Sequence, residues 1–344
     1  MCDQYLVTGA TGFLGRTVVN ELIGRGATVR ALVLPTDSFA HLLPGEVEIV
    51  PGDVRDKSSL DAFFSDANSH TCVIHCAGIV SIASYPDSRM YSVNVVGTWN
   101  IIQQCMAHDV GMLIYVSSVH AIPEEPEGTV MTENCHFSPN FVSGNYAKSK
   151  ALATQMVLNN IRKGLRACVV FPSGLIGPGD VQNSSITSMV EFYLMGKLPF
   201  AVRGGYDFVD VRDVTQGILS CSEKGEMGTG YILSGHYVTI QSMLRMVGVI
   251  SQRRYRTIYL PLYLARIVAP YYEDYCLKKK RPLYFTPYSV SVLESNGKFS
   301  HRAASKKFSY YPRPLKETVR DMTTWLLRQN AERKPEKILL RKVR

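Results

Sequence analysis

The stretch "QYLVTGATGFLGRTVVNELIGRG", residues 4–26, decides the fold. "QYLVTG" reads as a short buried strand, and the residues from Phe13 to Gly26 carry apolar side chains at helical spacing before ending in Gly, the usual helix stop. Between strand and helix stand Gly9, Gly12 and Gly15. Glycine permits a tight turn, a close approach to the backbone and a helix set tightly on a sheet. A helix starting there offers unpaired N–H groups and a positive dipole end to an anion. The spacing is GxxGxxG, and by itself it suits a purely structural turn as well as a pyrophosphate. Its place between a strand and a helix favours the pyrophosphate.

Working outward, "ATVRALVL" (27–34), "VEIVPGD" (47–53), "TCVIHCAG" (71–78), "MLIYVSS" (112–118) and "RACVVFPSG" (166–174) are further short apolar runs. Helical patterns lie between them at 57–66, 88–109 and 145–163. Strands alternating with helices imply βαβ units, and right-handed crossovers make these a doubly wound parallel sheet, an α/β fold of Rossmann type. Past about residue 175 the alternation weakens and Gly and Pro cluster. We therefore expect a dinucleotide-binding domain from 1–179, to which 207–234 returns. A smaller substrate-binding lobe is expected from 180–206 and 235–328, with a basic tail at 329–344.

The 344 residues are 46% hydrophobic and 19% charged, an ordinary globular balance that excludes a disordered or fibrous chain. Lys and Arg outnumber Asp and Glu by 38 to 29, and the excess gathers in "KKKR" (278–281) and "RKPEKILLRKVR" (333–344). Such blocks are usually solvated, and no nucleic-acid-reading module accompanies them, so no nucleic-acid partner is expected. The eight cysteines form no CxxC pair and the eight histidines no HExxH spacing, which gives neither a disulfide framework nor a metal site. Reduced thiols and the lack of a signal-peptide pattern lead us to expect a cytoplasmic protein. The segment "IYLPLYLARIVAPYYEDYCLKKKR" (258–281) is apolar and aromatic but interrupted by Pro261, Arg266 and Pro270, too broken for a transmembrane span. Two readings stand: an apolar helix covering a substrate pocket, or a helix in peripheral contact with an anionic membrane.

"SGNYAKSK" (143–150) sets Tyr146 and Lys150 four residues apart, hence on one face of a helix. An ammonium beside a phenol favours the phenolate and is expected to lower its pKa, so that Tyr146 exchanges a proton with a carbonyl or alcohol oxygen. Tyr-x-x-x-Lys is common by chance. Here it follows the glycine loop, "VNVVGT" with Asn94, and "VSS" with Ser117 and Ser118, in that order. Together these residues resemble the extended branch of the short-chain dehydrogenase/reductase superfamily, the epimerase/dehydratase group. The resemblance extends to "HCAG" (75–78), "FPSGLIGPGD" (171–180), "FVDVRDV" (208–214) and "YPRPLKE" (311–317), which is similar to dihydroflavonol-reductase-like and 3β-hydroxysteroid-dehydrogenase-like members.

That resemblance implies Tyr146 as general acid/base, Lys150 as its electrostatic partner and a holder of ribose hydroxyls, and Ser118 as the hydroxyl bound to the substrate oxygen. Asn94 would complete a proton relay through water. It implies a nicotinamide cofactor held by Gly9, Thr11, Gly12, Phe13, Leu14, Gly15, Asp53, Val54, Ala77, Gly78, Tyr146, Lys150, Pro172, Ser173 and Gly174. Asp53 suits the adenine amine and equally a helix N-cap. Leu34 stands where an acid would select NAD or an Arg NADP, and the missing carboxylate leans to NADP, with Arg16 or Arg30 as phosphate partners. Gly174, Tyr206, Asp207 and Phe208 depart from the pattern of nucleotide-sugar epimerases. Tyr263, Tyr271, Tyr272, Tyr275, Tyr284 and Phe285 suit either a flat hydrophobic substrate or a core. The expected activity is hydride transfer between NAD(P) and a ketone or secondary alcohol of steroid- or flavonoid-like shape. The alternatives are a nucleotide-sugar epimerase and, from another class, a dinucleotide sensor without catalysis. Resemblance also implies a homodimer.

Overall fold

In the computed structural model, residues 2–133, 136–281 and 283–342 are described, without the side chains of 333–342. Twelve strands are seen among them. They are β1 (Gln4–Thr8), β2 (Thr28–Val33), β3 (Glu48–Pro51), β4 (Thr71–His75), β5 (Met112–Val116), β6 (Ala167–Pro172), β7 (Gly174–Ile176), β8 (Phe200–Val202), β9 (Gly205–Asp210), β10 (Gly230–Leu233), β11 (His236–Thr239) and β12 (Ile258–Leu260).

The chain divides into two compact units. The first comprises Met1–Ser173, Val211–Ser234 and Lys298–Pro312. Its seven-stranded sheet runs β10-β6-β5-β4-β1-β2-β3, parallel throughout. Leu6, Val7, Val73, Ile74, Leu113, Ile114, Val169 and Val170 are fully buried. Helices on both faces require strands apolar on both sides, and this is why each run is nearly continuous in sequence. The order reverses between β1 and β4. In sheets of this kind ligands bind outside the carboxyl ends of the strands at that reversal.

Residues 57–66 do not form the helix their pattern suggests. Only a 3₁₀ turn, Ser58–Leu60, is present. Asp56 accepts from the backbone N–H and hydroxyl of Ser58, and Ser59 Oγ bonds to the carbonyls of Asp53 and Asp56. Such local bonds compete with a helical ladder. In 88–109 the helix is interrupted by a π-helical turn, Ser92–Gly97, before Thr98–Ala107.

The second unit comprises Gly174–Asp210, Gly235–Gly297 and Arg313–Arg344. It holds a three-stranded sheet, β11-β9-β7, a parallel β12-β8 pair, and the helices Ser185–Leu194, Ile240–Ile250, Leu262–Lys278, Pro287–Glu294 and Leu315–Lys342. The basic tail expected at 329–344 falls mostly on side chains outside the described residues.

Candidate functional site

The glycine turn is built by close backbone contact. Gly9 has φ +65°, and a Cβ there would lie 2.6 Å from Ala77 N; a Cβ on Gly15 would lie 2.1 Å from Gly9 O. Gly12 N donates to Gly9 O at 3.1 Å. Gly12 is also the N-cap of the Phe13–Gly24 helix, and no side chain caps that end. The first N–H groups of the helix are thus available to an anion.

Beside this turn the structure brings a carboxylate that sequence reasoning overlooked. Thr11 Oγ1 donates to Asp37 Oδ2 at 2.6 Å, and Asp37 Oδ1 accepts from Phe39 N. Asp37 stands three residues beyond Leu34, and Leu34 itself is exposed. Arg30 is committed elsewhere: it is buried and pairs with Glu48 (2.8 Å) and Asp66 (2.5 Å).

Asp53 accepts from the Arg55 backbone N–H and pairs with its guanidinium at 2.6 Å, and that hydrogen-bonded pairing holds its carboxyl below the usual range. The bond to the N–H two residues on closes an Asx-type turn. Asn100, another residue not singled out from sequence, donates to the carbonyls of Val54 and Arg55 and holds this turn from the Thr98–Ala107 helix.

At the end of β4, Cys76 N and Ala77 N donate to the Thr8 carbonyl and hydroxyl. Thr8 Oγ1 lies 2.7 Å from His75 Nδ1, and His75 Nε2 lies 3.0 Å from Thr98 Oγ1, which donates to Asn94 O. These partners fix the tautomer: the Thr8 hydroxyl donates to Nδ1, and Nε2–H donates to Thr98. Burial, with the Lys150 charge acting the same way, pushes the imidazole down to about 3, so it is neutral. The π-helical turn carries Asn94, fully buried, whose Nδ2 donates to Ile79 O and Ser149 Oγ while Oδ1 accepts from Ile79 N. A Cβ on Gly78 would lie 3.3 Å from Asn94 Oδ1 and 3.4 Å from Lys150 Nζ, so a side chain there would crowd this corner.

The Asn145–Ile161 helix carries Tyr146 and Lys150, both buried. Ser118, two residues past β5, caps the turn that follows by accepting from His120 N. Ser117 instead exchanges a hydrogen bond with Thr154 at 2.7 Å. Lys150 Nζ donates to Val116 O at 2.8 Å. The expectation that Lys150 lowers the phenol's pKa is not met in this state: burial pushes Tyr146 up to about 12 against the pull of Ser118, and burial brings Lys150 down to about 8. The low dielectric that would strengthen their coupling also disfavours both charged forms. His120 lies edge-on to Tyr146 at 5.7 Å, and burial lowers it to about 4, which keeps a neutral imidazole against the phenol. Its position two residues after Ser118 was the available signal.

Ser173 follows β6, and its Oγ is buried without a hydrogen-bond partner. Gly174 opens the second unit. An uncapped helix end, a glycine cradle and an orphan hydroxyl fit a nicotinamide dinucleotide. In the second unit, Asp207 Oδ1 accepts from Gly235 N, and Tyr206 and Phe208 are buried edge to face, so no cation stands at 206–208. Tyr263, Tyr271, Tyr275 and Tyr284 are exposed, whereas Phe285 packs on the Val202, Ala265, Ala269 and Val290 cluster. Further along, Met131 pairs with Phe299, and Phe137 stacks on Phe171.

A sequence model described as the NAD dependent epimerase/dehydratase family matches residues 5–233. Sterol demethylase protein B of Methylococcus capsulatus is 27% identical over 323 residues, covering 93% of this chain and 97% of that protein. The 3beta-hydroxysteroid-dehydrogenase/decarboxylase isoform 1 of Arabidopsis thaliana is 28% identical over 354 residues, covering 92% and 77%. The crystal structure of gox2253 superposes with a TM-score of 0.82 at 31% identity, covering 95% of this chain and 98% of that one.

Proposed function

The chain belongs to the NAD dependent epimerase/dehydratase family, and on that premise we propose that it moves hydride between a nicotinamide cofactor and a ketone or secondary alcohol on an apolar, steroid-like body. The observation that carries this reading is the buried Tyr146 phenol with Lys150, also buried, one turn further along the same helix. Relatives named for sterol and 3β-hydroxysteroid chemistry support the substrate class.

Gly9, Gly12, Gly15 and the first N–H groups of the Phe13–Gly24 helix hold the pyrophosphate, and Asp53 and Val54 face the adenine. Ala77, Gly78, Pro172, Ser173 and Gly174 line the nicotinamide end. Asp37 supports a ribose 2′-hydroxyl, hence NAD, because a carboxylate accepts from a hydroxyl and repels a phosphate. The cofactor supplies or accepts the hydride when bound. Ser118 and Tyr146 bind the substrate oxygen, and Tyr146 passes the proton to that oxygen or takes it back. A phenol with a pKa near 12 is held protonated, the form needed to donate during ketone reduction. Lys150 supplies positive charge, which stabilises the phenolate left behind. Asn94 fixes the Ile79 backbone and Ser149, and a relay role would run from this clamp.

Consumption of NADH and NADPH by the purified protein against a panel of keto-steroids, flavonoids and small ketones tests the reading. Oxidation with an apolar ketone is expected. A tightly retained NAD, no ketone turnover and a response to UDP-sugars would replace it with epimerisation.

A further inference from the structure

The Leu262–Lys278 helix, 17 residues long, buries one narrow face and leaves the opposite one bare. Ala265, Ala269 and Cys276 point inward, the first two onto Val202 and Val290. Tyr263, Leu264, Ile267, Val268, Tyr271 and Tyr275 are all exposed, with Tyr271 at 75%, Tyr263 at 65% and Ile267 at 61%. At 100° per residue these six cover roughly 140° of arc centred opposite the buried face. The preceding strand continues the surface: Ile258 on β12 pairs with Phe200 on β8, and both are exposed. Contiguous apolar surface of this kind on a folded chain marks an interaction site.

The charges around it identify the partner. Residues 252–281 hold eight Lys or Arg against two Asp or Glu, a net of +6 within a chain of net +9. The cations stand at both ends of the apolar face: Arg253, Arg254 and Arg256 before it, Lys278, Lys279, Lys280 and Arg281 after it. Of the two acids, Glu273 is buried, and Asp274, exposed near the Tyr263 edge of the same arc, is engaged in a contact of its own. Among the described residues no helix is long and apolar enough to cross a membrane. We propose that this helix lies in the plane of an anionic lipid bilayer, with its Tyr, Ile, Leu and Val side chains at the acyl boundary and the flanking cations on the headgroups. Tyrosine suits that depth because its ring is apolar and its hydroxyl wet. Long Lys and Arg side chains reach the headgroup layer while their stems stay among apolar groups. A protein partner would more usually meet a face whose charges are mixed in sign.

The test is co-sedimentation of the full chain with vesicles of phosphatidylcholine alone and of phosphatidylcholine with phosphatidylglycerol. Binding is expected with the anionic vesicles only, falling as salt is raised. An Ile267→Asp/Tyr271→Asp variant should weaken that binding by about tenfold or more, and Lys278→Glu/Lys279→Glu/Lys280→Glu should remove most of its salt dependence. Dinucleotide binding serves as the check on folding, and Ile267→Ser/Tyr271→Ser is the milder second variant should the aspartates disturb the helix. Wild-type protein that stays in the supernatant with anionic vesicles overturns the proposal. So does binding that both apolar-face variants leave untouched, which would move the contact to the basic sequence at 333–344. A concentration-dependent dimer dissolved by the apolar-face variants, without vesicle binding, overturns it in favour of a second copy of the chain.

Discussion

Thr11 Oγ1 donates to Asp37 Oδ2 at 2.6 Å, which sets a carboxylate against the turn carrying Gly9, Gly12 and Gly15. A carboxylate there accepts from a ribose 2′-hydroxyl and opposes a 2′-phosphate. The wild-type protein is therefore expected to bind NADH about tenfold or more tightly than NADPH, and Leu34→Arg/Asp37→Ser to reverse the order. Titration of reduced-nicotinamide fluorescence reads both constants. A wild-type preference for NADPH would remove Asp37 from this role.

Much of the first unit was legible because its strands are buried on both faces and its turns are closed by glycine, two constraints that act on sequence directly. The placing of Tyr146 and Lys150 on one helix face was legible for a similar reason: i and i+4 on a helix are neighbours whatever surrounds them. Asp37 was not, since its place depends on how the loop after β2 folds back onto Thr11. The π-helical turn around Asn94 leaves no periodicity signature in a six-residue stretch. The balance of forces on Tyr146 was also hidden, because it turns on burial, which four residues of local sequence do not set.

Removing the Tyr146 hydroxyl isolates proton transfer. Tyr146→Phe should lower kcat by about 10²- to 10⁴-fold while the dinucleotide affinity changes little. Ser118→Ala should act more weakly and raise KM as well, because the role proposed for Ser118 is only to bind the substrate oxygen. Near-wild-type turnover in Tyr146→Phe would place the proton donor elsewhere.

The pH dependence follows from the same pair. Ketone reduction consumes a proton and needs Tyr146 neutral and Lys150 charged. With Lys150 brought down to about 8, reduction should be flat at lower pH and fall as pH rises through about 8. Alcohol oxidation needs the phenolate beside a charged Lys150, so with the phenol at about 12 it should rise with pH below about 8 and level off above it. Initial rates in both directions across that range decide it, and parallel profiles would show that neither group governs the rate.

Two glycines of one turn should respond differently to the same methyl. A Cβ at Gly15 would meet Gly9 O at 2.1 Å, a backbone atom that cannot swing away, whereas one at Gly12 meets the same oxygen at 3.3 Å. Gly15→Ala is expected to cost about 1 to 3 kcal/mol in stability and to abolish dinucleotide binding, and Gly12→Ala to cost less than about 1 kcal/mol. Urea unfolding and dinucleotide titration of both variants give the comparison. Equal effects would mean that the turn is looser than its contacts imply.

His75 gives the fold an acid limit of its own. It is buried between Thr8 and Thr98, with its pKa pushed down to about 3 from an ordinary value near 6.5. Between those values the unfolded chain binds the proton and the folded chain does not, so stability rises with pH and is lost on acidification. The loss from this group is about 1.4 kcal/mol per pH unit below about 6.5, or roughly 2 kcal/mol on going from about pH 7 to pH 5. His75→Gln does not titrate, and its amide still has an acceptor for Thr8 and a donor for Thr98. Urea unfolding at both pH values should show His75→Gln losing roughly 2 kcal/mol less than wild type over that interval. If the two proteins lose stability in parallel, the imidazole is not the group being titrated, and the link it makes from Thr8 through Thr98 to Asn94 must tolerate a charge.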